Sequence, residues 1–171
     1  MITCEEIYDL HTTGALESAL CEAYREIPLD SRNSMRKNDT PLHMACAFVD
    51  ENAVRILLER GADVNVRNDD GDTPLCVLAK RKCCGKETTI AGIAGLLVSK
   101  EARVPRSGKN TTALIEAVGN RHFLMADILL MSGCRIDSTN SNGNNVLHVI
   151  CQSAGDIAYD IKRTKERIAD F

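Results

Sequence analysis

The chain has 171 residues, 44% hydrophobic and 26% charged, which is enough for one domain with a core. A net charge of −3 and a pI near 5.8 exclude the global basic field that drives nucleic-acid binding, so any anion site must be local. With no tryptophan and 4% aromatics, the core is expected to be spread over many small aliphatic contacts, which favours a layered or repetitive architecture.

The first stretch, MITCEEIYDLHTTGALESALCEAYREI, carries acids within its first six positions and has no basic region leading into an apolar one, so it does not read as a signal peptide. No run approaches the roughly 18 consecutive apolar residues of a membrane span. The protein is therefore expected to be soluble, intracellular and cytoplasmic, with its eight cysteines reduced. Thr3 and Glu6 form a capping-box pair that starts a first helix. ALESALCEAY, from Ala15, gives a second, with Leu16, Ala19, Leu20 and Ala23 on one side.

DTPLHMACA follows at Asp39. Thr40 suits an N-cap and Pro41 the first helical position, where a missing N–H costs nothing. Leu42, Ala45 and Cys46 make one apolar face of that helix, and Val54, Leu57 and Leu58 make one on the next, which Gly61 should end. NDDGD, at 68 to 72, is a turn. DTPLCVLAK at Asp72 restarts the unit, TTALIEAVG at Thr111 and NNVLHVICQ at Asn144 restart it again, and NSNGNN puts Gly143 where Gly71 stood. DIAYDIKRTKERIADF keeps Ile157, Ile161 and Ile168 among charges, as a last helix with one face in water would.

These segments keep a clock. Thr40, Thr73, Thr112 and Asn145 are 33, 39 and 33 residues apart, and the doublets Leu57-Leu58, Leu96-Leu97 and Leu129-Leu130 follow their starts by 17, 23 and 17. Both irregular intervals are 6 too long, which places a six-residue insertion between Thr73 and Leu96.

A 33-residue period headed by Thr-Pro-Leu-His resembles the ankyrin repeat, over roughly residues 36 to 155. The resemblance implies an all-α solenoid of stacked helix-turn-helix units joined by extended β-turn or hairpin loops, because one helix pair cannot bury its apolar faces alone. It divides a single domain into a capping repeat at 1–35, repeats at 36–68, 69–107 (with the insertion) and 108–140, and a second capping repeat at 141–171. It also implies that His43 and His148 hydrogen-bond between adjoining repeats rather than catalyse. Thr112-Ala113-Leu114-Ile115 lacks the proline and histidine, and Asn145-Val146 lacks Thr-Pro, although Thr and Asn both cap. Lys100 stands where the helix-ending glycine belongs; left-handed geometry there costs about 1–2 kcal/mol, so Lys100 to Lys109 should be rearranged.

No nucleophile, base and orienter recur together, so no enzyme and no cofactor are expected. By similarity, the chain is a monomeric module that binds a protein partner on a concave face of turn tips and first helices. The variable positions implied are Arg36, Lys37, Asp39, Ala47 and Phe48; Asp69, Asp70, Asp72, Lys80 and Arg81; Lys109, Thr111 and Asn120; and Ser141, Asn142, Asn144, Gln152 and Ser153. Phe48, as a large aromatic expected on that face, is either an anchor or packed on the neighbouring first helix.

LAKRKCCGKETTIAG, at 78 to 92, holds the insertion. Lys80 stands five before Gly85 and Glu87 follows Lys86, so it is not a Walker loop; adjacent Cys83 and Cys84 lack the nearby ligands of a zinc site. Three readings stay open: a merely lengthened loop, a redox regulator at Cys83 and Cys84 whose thiolates the flanking lysines and arginine would favour, and weak anion or headgroup binding at 80 to 86. Most other cysteines, including Cys46 and Cys151 at one repeat position, read as small buried hydrophobes, and Cys76 replaces the motif's histidine.

Overall fold

In the repeat at 36–68, Pro41 at the first helical position, Thr40 before it and left-handed Gly61 behind the second helix make a pair of short helices, and such pairs stack along the chain. A computed structural model describes residues 2–82, 85–102, 113–137, 139–140 and 142–152. Among the described residues there are nine helices and no named strand. The odd-numbered helices, α1 (Cys4–Thr13), α3 (Pro41–Phe48), α5 (Pro74–Ala79), α7 (Ala113–Gly119) and α9 (Val146–Gln152), pack in sequence as an inner layer. The even-numbered α2 (Glu17–Glu26), α4 (Glu51–Glu59), α6 (Glu87–Ser99) and α8 (Phe123–Met131) do the same as an outer layer. The result is the all-α solenoid that the repeat pattern implied.

The local signals act where the sequence puts them. Thr3 and Glu6 exchange the two bonds of a capping box, Pro41 and Pro74 open α3 and α5, and Gly61 behind α4 has φ 88°. Gly71 and Gly143 hold the turn tips at φ 75° and 76°. The tip at 33–39 closes on an isolated antiparallel bridge between Asn33 and Asp39. Between α3 and α4 the chain turns at Val49, φ 57°, and the equivalent turn after α7 uses Arg121, φ 65°. A β-branched residue is strained there by roughly 1–2 kcal/mol, and burial of the Val49 side chain holds it in place.

The core runs through both layers. All of Pro41 to Ala47 is buried, so α3 presents no face to water, while α4 buries Ala53, Val54, Leu57 and Leu58. Two expectations need correction. In α2 the buried side is Leu20, Ala23 and Tyr24; Leu16 caps the helix and is 78% exposed, and Ala19 also faces out, because the helix begins at Glu17 and turns Tyr24 inward.

The register of the third outer helix also differs. Leu97 is fully buried while Leu96 is only half-buried, and Ala102 N–H bonds to the Leu97 carbonyl as Ala62 does to Leu57 and Cys134 to Leu129. Leu97 therefore occupies the place of Leu57. It lies 24 residues beyond Thr73 and 32 before Leu129, so the segment between Thr73 and the outer helix gains seven residues and the following one is a residue short of the 33 period. For the same reason Glu101, φ 62°, takes the left-handed position expected of Lys100, whose φ is −95°.

Adjoining repeats are also tied by polar groups. Nε2 of His43 donates to the Asp72 carbonyl, 2.9 Å, while its Nδ1 receives the Thr40 N–H and hydroxyl at 3.2 and 2.8 Å. This consumes the neutral ring completely. His148 makes the same local pair with Asn145, 2.7 Å, but is exposed. Repeats two and three, lacking the histidine, are joined instead by Asn120 Nδ2 to the Ala79 carbonyl (3.0 Å) and His122 Nε2 to the Arg81 carbonyl (2.5 Å).

The register predicts that Leu97→Ala costs about 2 to 5 kcal/mol in urea unfolding and Leu96→Ala less than half of that; equal losses would contradict it. A second prediction concerns acid. Burial is the main cause that lowers the pKa of both His43 and His11, so the unfolded chain binds protons the folded chain refuses. Stability is then full above about pH 6.5 and declines as pH falls from there toward the lowered values. The urea midpoint should drop between about pH 7.5 and about 5.5, and drop less in His43→Gln; the same drop in both would rule out His43 as the source.

Candidate functional site

The tips of the first two turns are fastened to each other. Asp69 N–H bonds to the Lys37 carbonyl (2.8 Å), Asn38 Nδ2 to Asp69 Oδ2 (2.8 Å), and Lys37 Nζ meets Asp70 Oδ2. Below them, Asn68 Nδ2 donates to Asp39 Oδ1 (2.8 Å) and Lys80 Nζ pairs with Asp72 Oδ2 (2.5 Å). A groove of about 320 Å³ lies between these tips and the inner helices, with Ala47 of α3 and Val77 of α5 among its lining residues.

Of the residues expected to bind a partner, Arg36, Lys37, Asp39, Asp70, Asp72, Lys80 and Arg81 all line this groove, and Asp69 sits beside it in the second tip. Their environments differ from what a row of variable surface residues would have. Asp39 and Asp72 are 6% and 3% exposed. Each sits at the foot of its turn and answers groups of the fold, Asn68 and Lys80 respectively, so both carboxylates are structural. Oδ1 of Asp72 and Nε of Arg81 are buried without hydrogen-bond partners. Arg36 lies over the Tyr8 ring, 4.9 Å from its centroid.

Phe48 does not stand exposed on this face. Its ring is half-buried, stacked on His11 at 4.0 Å and 9°, with Tyr8 tilted beside it at 5.7 Å. His11 in turn bonds Tyr24 Oη at 2.9 Å, so the aromatic joins the repeat to the N-terminal helix pair. Asn120 is half-buried and occupied by the Ala79 carbonyl. Asn142 and Asn144 form the last described turn, their N–H groups both on Asn140 Oδ1 at 3.0 Å, and do not line the groove. Lys109, Thr111, Ser141 and Ser153, together with Cys83 and Cys84, lie outside the described residues, as does the side chain of Gln152 in α9.

Sequence reasoning passed over Met35 and Val77. Met35 is 84% exposed at the groove's rim, and Val77 supplies apolar lining. A large apolar residue inside an otherwise polar turn was the available signal for Met35; nothing in the pattern separated Val77 from its buried neighbours.

Four of the thiols are held away from thiolate. Cys4, Cys46 and Cys76 are buried, and desolvation is the largest cause raising each pKa; Cys134, half-buried, is pushed up to about 11 for the same reason. Cys151 departs from the pattern set by Cys46: it is exposed. Among the described residues no three His, Cys, Asp or Glu side chains gather at metal-binding separation, and no helix is long and apolar enough to cross a membrane.

Comparison with known proteins agrees with the architecture. Residues 26–76 match the family model for ankyrin repeats in many copies. Ankyrin repeat-containing protein P1E11.10 of Schizosaccharomyces pombe is 34% identical over 68 residues, covering 36% of this chain and 33% of that protein. The chain thus spans about a third of its relative's length. The same helix-pair unit recurs on both sides of the matched stretch, so the described residues are built as ankyrin repeats are.

Proposed function

We propose that the chain is a non-catalytic protein-binding module whose partner lies along a concave face of turn tips and inner helices. Ankyrin repeats generally act as protein-interaction modules. The observation that carries the reading for this chain is the groove: residues from two turn tips and two inner helices converge there, although the sequence separates Arg36 from Arg81 by 45 positions. Its wall is mixed in charge and its lining includes apolar Ala47 and Val77, as suits a polar partner segment with a small apolar contact. The module acts as a monomer in the cytoplasm, with no cofactor. Redox regulation through Cys83 and Cys84 gains no support from Cys4, Cys46, Cys76 and Cys134, whose shifts run away from thiolate.

The test is obstruction of the groove. Val77→Arg places a long side chain there without removing any of the polar residues, and Glu59→Lys on the exposed outer helix serves as control. In capture experiments from cell lysate, with helical circular dichroism checked for each form, wild type and Glu59→Lys should retain the same protein partner and Val77→Arg should lose about tenfold or more of it. Undiminished capture by folded Val77→Arg would place the partner elsewhere.

A further inference from the structure

The groove's polar groups can be sorted into those that the fold satisfies and those it leaves open. Lys37 is engaged by Asp70, Lys80 by Asp72 Oδ2, and Asp39 by Asn68. Three things remain. Oδ1 of Asp72, on a side chain only 4% exposed, lacks a donor. Nε of Arg81 lacks an acceptor. Arg36 and Arg81 have no carboxylate partner among the described residues, while four cationic and three carboxylate side chains line the groove, so its charge is unbalanced toward positive.

Oδ1 of Asp72 and Nε of Arg81 are closed to solvent, so what an occupant can supply is the negative charge that Arg36 and Arg81 lack. A phosphate would bring a second negative charge against Asp39, Asp70 and Asp72 of the same wall. An acidic side chain carried on a main chain offers a single charge, together with amides for the groove's polar lining. The volume of about 320 Å³ stands at the low end of ligand pockets, about 300–1,000 Å³, so it suits a short extended segment rather than a folded surface.

We infer that the groove takes an extended acidic peptide segment of a protein partner, its carboxylate held between Arg36 and Arg81. This rests on the concave-face reading above and specifies the chemistry it recognises. The Tyr8 ring holds Arg36 ready for the carboxylate, and exposed Met35 at the rim offers an apolar contact to the residue beside it.

Displayed random dodecapeptides selected on the purified chain provide the probe, with the enriched peptide then measured by fluorescence anisotropy. The expected result is enrichment of Asp or Glu, affinity weakened about tenfold by Arg36→Gln and by Arg81→Gln, and only partial recovery by Arg81→Lys, which keeps the charge and removes Nε. Binding should also weaken as salt is raised. The inference is overturned by failure of any sequence to enrich, or by a thymidine dodecamer binding as tightly as the acidic peptide, which would make this a general anion site. Enriched peptides without acids that are lost in Val77→Arg would overturn the acidic specificity and leave the concave-face reading standing. Acidic peptides indifferent to Val77→Arg, Arg36→Gln and Arg81→Gln would sink both.

Discussion

Near-complete burial of the central inner helices, α3, α5 and α7, is the constraint from which the rest follows. A helix of eight residues has little stability of its own, and α3 goes further by leaving none of Pro41 to Ala47 in water. Such a segment is stable only when flanked, and the flanking is supplied by α1 and α5 within the layer and α4 behind it. Each repeat therefore depends on its neighbours, and the array is held by contacts that are near in the chain. The outer layer repeats the logic through Leu57, Leu97 and Leu129, each fully buried at one position of its helix.

That stacking leaves the turn tips side by side with their backbone groups unfilled, and the polar chemistry of the protein is the answer to this. Asn38, Asp39, Asn68, Asp69 and Asp72 spend their side chains or carbonyls on one another or on His43. The groove is what remains between tips fastened in this way. Its acids therefore serve the fold first, and Arg36 and Arg81, which the fold leaves without a carboxylate, are what a partner meets there.

Much of this was legible without coordinates. The start of each helix pair, the caps at Thr3, Thr40 and Thr73, the left-handed glycines and the link made by His43 all depend on residues a few positions apart, where local stereochemistry decides. The groove's polar residues were also found, because turn tips recur on the same clock. What escaped depends on rotation and on neighbours. Leu96 and Leu97 are adjacent and equally apolar, so only the packing of α6 against α4 and α8 chooses which is buried. Phe48 could have stood free or packed, and the outcome was set by His11 and Tyr8, some forty positions earlier.

By itself the sequence determined the repeating unit and its likeness to the ankyrin repeat, since period, capping and turn chemistry are properties of short stretches that any stacked array must satisfy. Only the tertiary structure decided the phase of the third outer helix, the engagement of Phe48 by the N-terminal helix pair, the burial of Asp72 Oδ1 and Arg81 Nε without partners, and the meeting of Arg36 and Arg81 at one groove. Those depend on which atoms of distant repeats arrive at the same place, and hydrogen-bond satisfaction can be counted only once they have arrived.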